Sequence, residues 1–279
     1  MDCTSPVRIN GDTFPCGKCI NCRARSRQEW VFRLRMEYRS CDFGLFVTLT
    51  YDDEKLPSDG VSKRDVQLFL KRLRKNFDSQ TLRYYICSEY GDHSHRAHYH
   101  GLLFFKGIPR TAALYDQITS SWANGFVQFG EIEEGSIVYV TKYCLKGSDV
   151  PKGANDNFRL LSKMHGGLGV DYLSEQYQYH LERLDKPTYA HLEGQSAPLA
   201  RYFRTKIMRS LDQTDKEMIQ TLYMQEVRRL RNKREDELRR KYFVRHPGAS
   251  EHDFIIWKFE REDRKEELYL KHTKKQNLL

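Results

Sequence analysis

The sequence predicts an α+β fold: a central antiparallel sheet flanked by helices, followed by a basic helical C-terminal region. Three observations predict it. Two β-rich segments, "TLRYYICSEYG" and "AHYHGLLFFKG", lie on either side of a short polar turn. Segments with helical spacing of apolar residues precede and follow them. From about residue 200, dense charge replaces apolar patterning.

The elements can be justified in chain order. In "RARSRQEWVFRLRMEYRS", Trp30, Leu34 and Tyr38 recur every four residues, which is helical spacing, and six arginines make the segment strongly basic. Residues 44 to 51, in "GLFVTLTYDDEKLP", are β-branched, aromatic or apolar and read as a strand. "SKRDVQLFLKRLRKNF" reads as a helix capped by Ser62, with Asp65 in its first turn and Val66, Phe69, Leu70 and Leu73 as its apolar stripe. The paired strands come next, with a turn from about 91 to 96 that holds His93 and His95, read as solvent-facing. "RTAALYDQITSSW" predicts a helix and "GFVQFGEI" a short strand. "GSIVYVTKYCLKG" is rich in β-branched residues, yet Ser136 can cap a helix start and Gly147 a helix end, so it is assigned as a helix. Residues 148 to 200 are expected to be a loop-rich, surface-wrapping segment. The patch "DFIIWKFE" near 253 to 260 is expected to dock the tail onto the main domain. The organisation expected is residues 1–40 as a cysteine cluster and basic helix, 41–200 as the main domain, and 201–279 as the basic helical region.

Composition narrows the partners. The 279 residues carry a formal net charge of +9, of which residues 199–279 hold about +7. A basic excess points to an anionic partner, most commonly nucleic acid. No apolar run approaches the roughly 20 residues of a membrane-spanning helix, and "MDCTSPVRIN" lacks the apolar run of a signal peptide. The expectation is a cytosolic protein with no membrane partner. Seven cysteines, an odd number in a chain without a signal, argue against a disulfide framework.

Two constellations can carry chemistry. In a strand, residues i and i+2 share a face, so His98 and His100 point together and Tyr99 points into packing. If the turn spans 91 to 96, Glu89 falls opposite His98 and Cys87 opposite His100. Glu89, His98 and His100 can then form a three-ligand face suited to Mg²⁺ or Mn²⁺. The alternative is a pair of structural histidines, and Cys87 reads as a small buried residue. In "YVTKYCLK", Tyr139, Lys142, Tyr143 and Lys146 cluster on one side of a helix. They are either core aromatics with solvated lysines, or tyrosines presented for nucleophilic attack beside cations that favour the phenolate.

A third group is "PCGKCINCR", where Cys16, Cys19 and Cys22 stand in C-x2-C-x2-C and Cys3 can complete a four-thiolate Zn²⁺ site. Free thiols are the alternative, and an iron–sulfur cluster ranks below zinc. Arg23, Arg25, Arg27 and Arg33, with Arg201, Arg204 and Lys206 of "RYFRTK", are candidate DNA-binding residues. The aromatics of "RYFRTK" can stack on unpaired bases.

Taken together, the motifs resemble a known family. "HYH" after the "SEYG" strand resembles the His-hydrophobe-His motif of HUH endonucleases, "FVTLTY" their first motif strand, and "YVTKYCLK" their Tyr-x-x-Lys motif, doubled at four-residue spacing. The paired tyrosines are similar to those of the rolling-circle replication initiators of microviruses, small phages with single-stranded DNA. "PCGKCINCR", "SSWANGFVQFGEI" and "ARYFRTKI" resemble the gokushovirus-like branch. The resemblance covers roughly residues 3 to 210, in the family's motif order. It implies an HUH-type sheet and a divalent metal, Mg²⁺ or Mn²⁺, on His98, His100 and Glu89. It implies that Tyr139 or Tyr143 attacks single-stranded DNA at a viral replication origin, giving a 5′-phosphotyrosine and a free 3′-hydroxyl, with Lys142 and Lys146 as cationic clamps. The other tyrosine then recuts the regenerated origin and the displaced strand is rejoined. Partners implied are a host helicase and polymerase, in the cytoplasm of the bacterial host. Two rival readings are a non-enzymatic DNA- or RNA-binding protein that uses the cysteine knuckle and basic helices, and a zinc-dependent hydrolase that uses His98 and His100.

Overall fold

The computed structural model describes residues 3–9, 12–75, 77, 81–91, 94–143, 150–192 and 195–275. Contacts divide it into two compact units, Met1–Glu175 and Gln176–Leu279. The compositional change near 200 falls inside the second unit.

The first unit opens with a hairpin, β1 (Val7–Ile9) and β2 (Asp12–Phe14), and a long helix, α1 (Ile20–Ser40). There follow β3 (Phe43–Thr50), α2 (Lys63–Arg74), β4 (Leu82–Tyr90), β5 (Ala97–Phe105), α3 (Ala112–Ser121), β6 (Val127–Glu131), α4 (Glu134–Tyr143) and β7 (Arg159–Leu161). Helix α5 (Val170–Leu181) spans the division between the units. The central sheet is antiparallel, with strand order β6-β3-β5-β4-β7. This is the expected α+β architecture, with a fifth strand added.

Alternation along the strands splits the core into two layers. Leu45, Val47 and Leu49 of β3, with Ile86, Tyr99 and Leu103, pack on Val66, Phe69, Leu70 and Leu73 of α2 and on Leu114, Ile118 and Trp122 at α3. The opposite parity puts Tyr85, Cys87, Leu102 and Phe104 against Val31 and Leu34 of α1 and Ile137 and Val140 of α4. Tyr99 is fully buried, and its hydroxyl accepts from the Ser62 N–H at 2.7 Å and meets Tyr51 Oη at 2.7 Å. It is a packing residue, as its strand parity requires.

The expectations for caps and loops need partial revision. Ser62 caps α2, accepting from Asp65 N at 3.2 Å. Ser136 does not precede α4; it lies in the first turn, where its Oγ accepts from Glu133 N and donates to Glu131 O. Gly147, the expected helix end, lies outside the described residues. The segment 148–200 is more than a loop: it contributes β7, α5 and two further short strands. His95 is exposed in the β4–β5 turn, and His93 lies outside the described residues.

The second unit contains β8 (Ala190–Leu192) and β9 (Gln195–Ala197), paired antiparallel, then α6 (Arg201–Arg209), α7 (Gln213–Arg245) and α8 (Glu251–Lys275). The "DFIIWKFE" patch is used within this unit, since Phe254 and Trp257 of α8 pack on Tyr242 of α7. His180 is fully buried between Tyr179 and Tyr189. Burial, reinforced by Arg183, lowers its pKa to about 4. Between the ordinary value near 6.5 and about 4, the unfolded chain takes up a proton that the folded chain refuses. Stability is therefore lost as pH falls through that window, by up to about 3 kcal/mol. Denaturant unfolding at pH 7 and pH 4.5 should show the loss, and His180→Asn should flatten it.

Candidate active site

The site is built on the β4–β5 hairpin. Glu89 lies opposite His98, and Cys87 lies opposite His100. Because His98 and His100 are two apart on one strand, both rings emerge on the face covered by α1 and α4. Glu89 Oε2 lies 3.1 Å from His100 Nε2 and 3.3 Å from His98 Nε2. The three ligand atoms lie within 4.8 Å of one another.

The outer nitrogens fix the orientation of the rings. His98 Nδ1 lies 3.1 Å from Arg96 O, which can only accept, so Nδ1 carries the hydrogen. The neutral ring then turns its Nε2 lone pair toward Glu89. His100 Nδ1 lies 3.1 Å from Thr48 Oγ1, on the strand that flanks β5 on its other side. Burial lowers the His100 pKa despite the carboxylate beside it, which favours the neutral imidazole. Burial pushes the Glu89 carboxyl up, but His100 and His98 outweigh this and hold it below the ordinary carboxylate range. The result is one anionic oxygen and two neutral nitrogens converging on one point.

That donor set fits a divalent cation. Glu89 Oε2 is buried and makes no well-aligned hydrogen bond to the protein. The 3.1 and 3.3 Å separations are close to the octahedral edge of about 3.0 Å expected for metal–ligand bonds of about 2.1 Å. Mixed nitrogen and oxygen ligands suit Mn²⁺ better than Mg²⁺. Sequence reasoning missed Thr48. Its signal was the polar alternation of Thr48 and Thr50 in an otherwise apolar strand, which pairs them with His100 and His98. Thr48→Val keeps the shape but removes the hydroxyl. It should weaken Mn²⁺ binding by about 10- to 100-fold, measured by calorimetry.

Helix α4 is docked over this face. Ile137, Val140 and Thr141 are buried, and Thr141 Oγ1 donates to carbonyls of its own helix. Cys87 Sγ lies 3.6 Å from both His100 O and Val140 O, so it fills the joint between strand and helix. Helix α1 braces the other flank, through Arg27 Nη2 donating to Val138 O and an ion pair between Arg35 and Glu134. This packing leaves Tyr139 about 40 % exposed, with its ring edge-on to His100 at 5.2 Å between centroids and to Phe46 at 6.2 Å. Lys142 is half-buried in the last turn. Tyr143 ends the helix; its side chain, and all of Lys146, lie outside the described residues.

A match to a family model covers residues 44–148; the model describes replication-associated proteins of the ORF2 type. It spans β3 to α4 and begins after the cysteine cluster. The replication-associated protein VP4 of Bdellovibrio phage phiMH2K is 30 % identical over 213 residues, 68 % of this chain and 66 % of that protein. This chain belongs to the family of phage replication-associated proteins. The ORF4 protein of Chlamydia phage 1, also named replication-associated, is 26 % identical over 73 % of this chain and 55 % of its own length. Its counterpart ORF2 of Spiroplasma virus 4 is 30 % identical over 60 % of this chain and 59 % of its own length. The replication protein described here thus spans between 55 % and 66 % of these relatives' lengths. No solved structure matches the chain. Among the described residues, no helix is long and apolar enough to cross a membrane.

The basic residues divide. Arg25 and Arg201 are exposed, and Arg23, Arg27 and Lys206 are half-buried. Arg33, expected to bind DNA, is buried; its Nε donates to Leu168 O at 3.1 Å and its guanidinium stacks on Trp30 at 4.3 Å. Arg204 is likewise committed to the fold, donating to Leu184 O and stacking on Tyr223 at 4.0 Å. Phe203 is fully buried, which removes it as a platform for bases. The four N-terminal cysteines are close together, with their Sγ atoms within 4.8 Å of one another. Backbone N–H groups of Cys19 and Lys18 lower the Cys16 pKa. Burial pushes Cys19 up, but the Thr4 hydroxyl and the Cys22 N–H outweigh it and bring the pKa to about 5. Cys22 is pushed up to about 12, first by burial.

Proposed function

We propose that this protein initiates rolling-circle replication by nicking and rejoining single-stranded DNA at a viral origin. The observation that carries the reading is the contact between Tyr139 and His100. It puts a half-exposed tyrosine beside a carboxylate–imidazole cluster in a member of a replication-associated family. A divalent ion held by Glu89, His98 and His100 would supply Lewis-acid polarisation of a phosphate oxygen.

The chain's own groups do the rest. Tyr139 Oη displaces the 3′ oxygen at the scissile phosphorus. The new P–O bond is the 5′-phosphotyrosine; the phenolic proton is lost, and the departing 3′ oxygen gains a proton. That 3′-hydroxyl primes a host polymerase, with a host helicase opening the strand ahead. Lys142 and Lys146 neutralise charge that develops on the phosphoryl oxygens. Tyr143, one turn along α4, serves the second cleavage while the first DNA end is still attached to Tyr139; strand transfer then closes the circle. Arg23, Arg25, Arg27, Arg201 and Lys206 grip phosphates. The reaction takes place in the cytoplasm of the bacterial host.

The test uses the phage's own single-stranded genome with Mn²⁺. A protein–DNA adduct that survives denaturation, and that a chelator prevents, is the expected result. Binding without an adduct, with metal and origin present, would instead mark a non-enzymatic nucleic-acid-binding protein.

A further inference from the structure

We propose that Cys3, Cys16, Cys19 and Cys22 form a closed tetrathiolate zinc site that fastens the N-terminal hairpin to the start of α1. The four Sγ atoms lie within 4.8 Å of one another. Cys3 Sγ and Cys19 Sγ are 3.8 Å apart. A disulfide requires about 2.05 Å. The edge of a zinc–thiolate tetrahedron with bonds of about 2.3 Å is about 3.8 Å. The spacing is that of two ligands on one ion.

The surrounding backbone is shaped for sulfur ligands. The turn from Cys16 to Cys19 passes through Gly17 at φ +73°, a conformation that glycine adopts without strain. This aims two N–H groups at Cys16 Sγ, from Cys19 at 3.2 Å and from Lys18 at 3.4 Å. Cys16 N–H in turn donates to Cys3 Sγ at 3.2 Å. Cys19 is the N-cap residue of α1 and Cys22 is its third residue. The helix has no side-chain cap and no acidic residue in its first turn. Two thiolates there would supply the negative charge that a helix N-terminus favours.

The hairpin also needs a fastening. Its strands have three residues each, and Val7, Ile9 and Phe14 are 45 to 55 % exposed. A two-stranded hairpin without a buried face is marginal in water. Four sulfurs, with no imidazole or carboxylate among them, select a soft ion and leave no open position for substrate. The role is therefore structural. On ligation each thiol gives its proton to solvent, and no oxidant or reductant is involved. The site fixes the start of the helix that carries Arg23, Arg25 and Arg27 and braces α4 through Arg27.

Elemental analysis of the full-length protein tests this. About one zinc per chain is expected after dialysis, and it should persist when His98 and His100 are both changed to alanine. It should be lost in Cys16→Ser/Cys19→Ser. If that variant does not fold, wild-type protein reconstituted with Co²⁺ decides: sulfur-to-cobalt charge transfer and strong visible bands of tetrahedral geometry are expected. Wild-type protein without zinc above trace level, zinc that departs with the two histidines, iron with acid-labile sulfide, or an octahedral cobalt spectrum would each overturn the proposal.

Discussion

Changing both Tyr139 and Tyr143 to phenylalanine is expected to abolish the covalent DNA adduct and to lower origin cleavage by at least about 10³-fold. Stability should hardly change. Tyr139 is about 40 % exposed, and its contact with His100 is made by the ring, which phenylalanine retains. Loss of that hydroxyl should alter unfolding free energy by no more than about 0.5 kcal/mol. The single Tyr139→Phe change separates the two roles. Tyr139 is the tyrosine in contact with the metal face, so this variant should lose the first cleavage, seen as adduct in a single-turnover assay. Tyr143→Phe should make the first adduct and fail at strand transfer. Cleavage at the wild-type rate in the double variant would end the tyrosine mechanism.

The second large effect is expected at Glu89. It supplies the one anionic oxygen among three ligands, and both histidines aim their Nε2 atoms at it. Glu89→Ala should weaken Mn²⁺ binding by at least about 100-fold and abolish adduct formation at micromolar metal, read by calorimetry and by gel. Glu89→Gln keeps the volume but loses the charge, and should fall between wild type and alanine. Cys87→Ala is the control. Cys87 lies directly opposite His100 in the sheet, yet its sulfur faces two backbone carbonyls. Its replacement should leave Mn²⁺ affinity nearly unchanged. Equal losses at Glu89 and Cys87 would mean that general disruption of the hairpin, not ligand removal, sets the affinity.

The relation between sequence and site follows from these same residues. The pairing of Glu89 with His98 could be read in advance because strand parity has a period of two and the turn is short. Burial of Tyr99 follows from the same parity. Thr48 was not readable, because its role depends on which strand lies on the far side of β5, and that pairing joins residues about fifty apart. Strand β7 escaped for a related reason. Three residues carry no period, and the strand exists because β4 offers it an open edge. The arginines show the limit of composition. Charge marks α1 as basic, but whether an arginine reaches solvent depends on helix rotation and on neighbours. Arg33 falls three residues after Trp30, stacks on it and turns inward to Leu168. Phe203 and Arg204 of "RYFRTK" were absorbed by packing in the same way.

The central claim is that a tyrosine on α4 becomes joined to DNA beside the Glu89–His98–His100 cluster. Mass spectrometry of the nuclease- and protease-digested adduct tests it most directly. The account predicts a nucleotide linked through a 5′ phosphate to the peptide that contains Tyr139, with a minor species on Tyr143. Linkage to a serine, a histidine or a tyrosine outside α4, or cleaved DNA with no linked peptide at all, would contradict it.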